Sequence, residues 1–188
     1  MRLHSSRSTD DRLLEAALEL LGERGYEGAT TRRIAERAGV AEVTLFRRFG
    51  SKARLLAEAV RRAGADFEEV AAHPSGDLKA DLHALAGRYL RQWQRAGTFP
   101  FVVAGAAARE PELRRALEEA LAGRLATVLA FFEHYQRQGE LRPAPAGSLI
   151  HAFFGPLIAA ALFGAALEGA PGLDVEAHVE GFLGGWAA

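Results

Sequence analysis

The stretch from Thr30 to Lys52, TTRRIAERAGVAEVTLFRRFGSK, leaves the backbone few choices. Thr30 can cap a short helix whose apolar face is Ile34, Ala35 and Ala38; Gly39 then takes the positive φ of a tight turn, and Val40 points back inward. A second short helix follows. Leu45 and Phe49, four residues apart, share its inner face, while Glu42, Val43, Thr44, Arg47 and Arg48 are left for the outer one. Gly50 stops this helix and Ser51 caps the next. Two short helices joined at a glycine turn form a helix-turn-helix pattern, and the outer face carries what a groove-reading helix needs. Guanidinium groups suit guanine edges or phosphates, and apolar surface suits a thymine methyl. An ordinary helical corner with solvated arginines has the same spacing, so spacing alone leaves both readings open.

The wider pattern separates them. From about Thr9 to Leu56 the chain resembles the N-terminal domain of the TetR family of bacterial transcriptional regulators, through GERGYEGATTRRIAERAGV and then VTLFRRFGSKARLL. The resemblance implies an all-α fold of about nine helices. Residues 1–56 would form a three-helix DNA-binding head, and residues 57–188 a body that binds a ligand and dimerises, with helix four, about residues 51–70, joining the two. It further implies a repressor that binds a palindromic double-stranded DNA operator as a homodimer and is released by a small lipophilic or aromatic effector. One position departs from the family pattern. Position 46 is usually Tyr, with its hydroxyl on a DNA phosphate, and here it is Phe46, so that contact is missing or replaced.

On this reading Arg47 and Thr44 read bases and Val43 meets a thymine methyl. Glu42 either accepts from a cytosine amino group or caps its own helix start. Thr31, Arg32, Arg48 and Lys52 are assigned to phosphates, and Phe46 sits among these contacts. A lysine in the first turn of a helix opposes the helix dipole, and a phosphate beside the start of helix four would account for Lys52.

Charge agrees with this division. The chain of 188 residues has a net charge of −1, yet residues 1–62 hold 13 Lys and Arg against 9 Asp and Glu, so the excess of acid lies in the remainder. A mildly basic head on an acidic body fits phosphate contact at one end. The chain has no cysteine, which excludes disulfides, thiolate metal sites and a Cys nucleophile. Its six histidines are scattered without ligand spacing and no glycine loop cradles phosphate, so neither catalysis nor a cofactor or metal is expected. No apolar run follows the basic residues of MRLHSSRSTDD; no signal peptide is visible, and the cytoplasm is the expected location. Arg2 and Arg7 are candidates for an arm along DNA, or for a solvated terminus.

Helical spacing continues through the body. The HPSGD segment, 73–77, breaks the pattern, Ser75 can cap a helix reaching Ala96, and Pro111 opens a long helix ending near Gln138. From Leu149 to Leu167 no residue is formally charged. The length approaches a membrane span, but the Ala and Gly content, His151 and an internal Gly155-Pro156 point instead to a helix buried on several sides, against its own body and a partner subunit. Together with a last helix capped by Asp174, it would form a four-helix dimer interface. Trp93, Phe99, Phe101, Phe131, Phe132 and Phe154 are candidates for lining an effector pocket, with His134, Tyr135 and His151 as polar contacts; each aromatic equally suits plain core. A helical carrier of lipophilic ligands that never touches DNA is the alternative function.

Overall fold

A computed structural model describes residues 8–188 except Gly64 and Thr98, so the proposed arm at Arg2 and Arg7 lies outside the described residues. The described residues form ten α-helices and no strand. They are α1 (Thr9–Gly28), α2 (Thr31–Arg37), α3 (Glu42–Phe49), α4 (Lys52–Ala63), α5 (Ala65–Ala72), α6 (Leu78–Ala96), α7 (Phe99–Ala107), α8 (Pro111–Arg137), α9 (Ala146–Ala166) and α10 (Val175–Trp186). Within the stretch 51–70, read from the sequence as one helix, α4 and α5 are described on either side of Gly64, and they bury different residues. Ala53, Leu55, Leu56, Ala57 and Ala59 of α4 belong to one core, and Phe67 and Ala71 of α5 to another.

The chain divides into two compact units. The first takes the described residues up to Arg62 together with Phe99–Ala120, and the second takes Ala63–Thr98 and Leu121–Ala188. By this grouping α7 and the first turns of α8 go with the N-terminal helices. In the first unit α1 packs on α2 and on α7, and α2 on α3. Leu13, Leu14, Ala17, Leu20 and Leu21 of α1 are buried, as are Phe99 and Val103 of α7. Ser8 starts α1 with a capping box: its hydroxyl accepts from the Asp11 N–H while the Asp11 carboxylate accepts from its own N–H. That pairing, led by the Ser8 hydroxyl, holds the Asp11 carboxyl below its ordinary pKa.

The second unit is organised by aromatic rings. Phe67, Tyr89, Phe154, Phe153 and Phe182 follow one another at centroid spacings of 5.3, 5.1, 5.2 and 5.2 Å, all edge-on, the arrangement that ring quadrupoles prefer. Phe131, Phe132 and Tyr135 of α8 complete this core. His178 of α10 meets the Phe153 carbonyl at 2.9 Å, and burial holds its imidazole below the ordinary pKa.

Asp77, not Ser75, caps α6, accepting from the Ala80 N–H at 2.9 Å. Ser75 is engaged elsewhere. Its N–H and its hydroxyl each donate at 2.7 Å to the carboxylate of Asp81, the one charged side chain buried among the described residues. The Tyr135 hydroxyl donates to the same carboxylate and accepts from the Gly76 N–H. Burial first, and then this bond to Asp81, raises the Tyr135 phenol well above its usual pKa. Residues 75 and 76 are thereby tied to both α6 and α8.

Candidate nucleic-acid interface

The turn between α2 and α3 closes on backbone bonds. Gly39, at φ 66°, donates to Glu36 O at 3.1 Å, and Val40 donates to Ala35 O at 3.0 Å. A side chain at Gly39 would be strained by that φ, and Gly50, at φ 78°, ends α3 in the same way. Leu45 is fully buried and anchors α3 from beneath. A further constraint comes from side chains: the Thr31 hydroxyl donates to Glu42 Oε1 at 2.6 Å, joining the first turn of α2 to the first turn of α3. The N-cap of α3, Ala41, has no side-chain bond, and the Glu42 carboxylate, with Oε1 taken by Thr31, keeps capacity to accept from a further donor. Thr31 has one hydroxyl proton, and here it goes to Glu42.

The outer face of α3 is open. Val43 is 71% and Phe46 46% exposed, Arg47 and Arg48 are exposed, and Thr44 is half-buried. Arg47 makes no ion pair or hydrogen bond among the described residues. Arg48 lies 3.3 Å from Asp10, and Arg32 lies 2.9 Å from Glu36. Exposed pairs of this kind contribute about 0–1 kcal/mol, so a phosphate can displace either carboxylate at little cost.

Lys52 is held differently. Its ammonium stands 3.7 Å over the centre of the Tyr26 ring and donates to the Tyr26 carbonyl at 3.0 Å. Burial pushes its pKa below the ordinary lysine value, against the opposing pull of Glu27 and Glu110. Burial, with help from Glu110, Glu112 and Glu27, also raises the Tyr26 hydroxyl. Gly25, at φ 66° inside α1, breaks the helix just before Tyr26 and lets its carbonyl face Lys52 rather than a residue four positions on. A ring face and a carbonyl together hold this ammonium at the start of α4. Sequence reading missed this partnership because nothing local relates residues 26 positions apart.

The residues expected around an effector fall into four groups. Phe131, Phe132, Tyr135 and Phe154 are buried in the aromatic core. Phe99 and Phe101 belong to the first unit, apart from the rest. His134 packs edge-on to Tyr135, and exposed His151 turns back to the Gly147 carbonyl at 2.6 Å. Trp93 alone of the nine lines the recess of about 410 Å³ in the second unit, together with Leu90, Gln94, Gly164, Ala165 and Leu173. That volume lies in the range of small-molecule sites.

Comparison with known proteins bears on both units. Residues 13–59 match the family described as bacterial regulatory proteins, tetR family, and residues 72–177 match the tetracyclin repressor-like C-terminal domain. The HTH-type transcriptional repressor KstR of Mycolicibacterium smegmatis is 41% identical over 83 residues, 44% of this chain and 36% of that one. The uncharacterized HTH-type transcriptional regulator YvkB of Bacillus subtilis is 38% identical over 76 residues, 40% of each chain. The aligned part thus spans well under half the length of these curated relatives. A solved tetR family regulator from Shewanella sp. PV-4 superposes with a TM-score of 0.71 at 26% identity, covering 97% of this chain and 100% of that one.

Proposed function

This chain belongs to the tetR family of bacterial regulatory proteins, and from that premise we propose that it is a sequence-specific DNA-binding repressor, without catalytic activity, that acts on an operator in the cytoplasm. The observation that carries the reading is the open outer face of α3, where Arg47 has no ion pair or hydrogen bond among the described residues and the helix is anchored by Leu45 and by the Thr31–Glu42 bond. Arg47 and Thr44 meet base edges with Val43 beside them, and Arg48 and Arg32 exchange their surface carboxylates for phosphates. Glu42 and Thr31 set the angle between the two helices, and Lys52 braces the start of α4 against Tyr26.

Those assignments separate in a salt titration. In Arg48→Ala the slope of log affinity against log salt is expected to flatten by about one unit, with all sequences weakened alike. In Lys52→Met the slope stays unchanged while Tm falls by a few degrees, reflecting a lost cation–π contact and carbonyl bond worth about 1–2 kcal/mol. If Lys52→Met flattened the slope as Arg48→Ala does, Lys52 would be a phosphate contact after all. Footprinting on the DNA upstream of the protein's own gene tests the reading as a whole; absence of a protected palindrome there and in enriched random DNA would refute it.

The partner in this reading is a second copy of the chain, since one short helix reads too few base pairs and two half-sites are needed. Its support is α9. The most apolar 18-residue window of this helix has a mean hydropathy of 1.9, yet only 22% of that window is buried, and Ile158, Leu162 and Phe163 stand exposed. Small residues Ala177, Gly181 and Gly184 lie exposed along α10. Paired through α9 and α10, two subunits would cover this surface. Phe163→Asp is expected to convert a dimer to a monomer in sedimentation equilibrium and to abolish tight operator binding; a wild-type protein that sediments as a monomer at micromolar concentration would exclude this interface. The effector is assigned to the recess beside Trp93, whose walls suit a small apolar or aromatic molecule.

A further inference from the structure

Large exposed hydrophobic side chains are unevenly distributed. Among the described residues there are seven, and five of them, Leu125, Ile158, Leu162, Phe163 and Leu167, belong to the second unit. The two in the first unit are Val43 and Phe46, and both are on α3. Residues three apart share a helix face with Cβ atoms about 5–6 Å apart. The pair therefore forms one apolar patch, continuous with Arg47 and with the proposed DNA-binding face.

What covers such a patch follows from its chemistry. Phe46 has no hydroxyl, so it has no proton to give a phosphate oxygen, and because duplex DNA offers its ring face no cation, the ring gains there from an apolar neighbour. The major-groove edge of duplex DNA carries one apolar group, the C5 methyl of thymine. With a rise of about 3.4 Å per base pair, side chains 5–6 Å apart span one to two base-pair steps. We propose, on the basis of the DNA-binding reading above, that Val43 and Phe46 together read two thymine methyls, one to two steps apart in each half-site, beside the base read by Arg47. Phe46 is then a specificity-determining residue and not merely a tyrosine lacking its phosphate bond.

The test removes the methyl and nothing else. Operators are enriched from random duplex DNA with the full-length protein, and each thymine is then replaced singly by deoxyuridine, which pairs as before but lacks the methyl. Two positions in each half-site are expected at which the replacement weakens binding by about fourfold, the value of one buried methyl-sized group. In Phe46→Ala one of the two becomes indifferent to the methyl, and in Val43→Ala the other does. Val43 is largely exposed, so Val43→Ala should keep the parent Tm, while Phe46→Ala loses the covered half of its ring and should lower Tm by a few degrees; comparing thymine with uracil on the same variant removes that loss from the reading. Equal affinity for thymine and uracil at every position overturns the proposal, as does a penalty that persists unchanged in both variants or a single responsive position governed by one residue. Failure to enrich any sequence would instead overturn the DNA-binding reading itself, so the two failures are distinguishable.

Discussion

Arg47→Ala is expected to weaken operator binding more than any other single change on α3 and to erase discrimination at the base pair it reads. A bidentate contact between arginine and guanine is worth about 1–3 kcal/mol, and a dimer makes it twice, so a loss of about 2–6 kcal/mol follows, which is tens of fold in Kd or more. Fluorescence anisotropy at fixed salt, with the operator and each of its single-base variants, measures both effects. The free protein provides an internal control. Arg47 holds no carboxylate, so truncating it orphans no partner and Tm should be unchanged. If Arg47→Ala weakened every sequence equally, Arg47 would be a phosphate contact and base reading would pass to Thr44, Val43 and Phe46.

The second large effect concerns stability. Asp81→Ala removes the acceptor of the Ser75 N–H, the Ser75 hydroxyl and the Tyr135 hydroxyl at once. Leaving such donors without a partner in a part-buried site costs about 3 kcal/mol in total, which for a chain of this size lowers Tm by about 6–12 °C. Tyr135→Phe removes two bonds, the one to Asp81 and the one from the Gly76 N–H, and is expected to lower Tm by about 4–8 °C. Because the two variants share the Tyr135–Asp81 bond, the double variant should lose less than the sum of the single losses, and differential scanning calorimetry distinguishes that from an additive loss.

The parts of this protein legible in its sequence are those whose signals are local. Thr30, Gly39, Leu45 and Gly50 act within a few residues of themselves, and the structure has α2, the turn and α3 where those residues require. Asp174 and Pro111 announced α10 and α8 for the same reason. What the sequence concealed depends on partners far apart along the chain. The run Leu55, Leu56, Ala59, Val60, Phe67, Val70 has one helical period, yet its two ends serve different cores, and no periodicity reveals where one core yields to another. Ser75 looks like a cap until Asp81 claims its hydroxyl. Among the nine candidate ligand residues, aromatic character was visible but could not separate Trp93, at a recess, from Phe131 and Phe132, which are close-packed. Lys52 is the sharpest case: its conflict with the helix dipole was legible, while its seat on Tyr26 was not.

The placement of Phe99–Ala120 with the N-terminal helices bears on how this protein can be cut and recombined. Phe99 and Val103 are buried in that unit, where α7 packs on α1, so a fragment ending at residue 62 would leave the far side of α1 bare. Grafting the reading head onto another regulator's sensor by a single splice should therefore yield an insoluble chimera. A soluble one needs the α7 segment and the first turns of α8 carried across with it, so that swapping specificities between relatives becomes a two-segment operation.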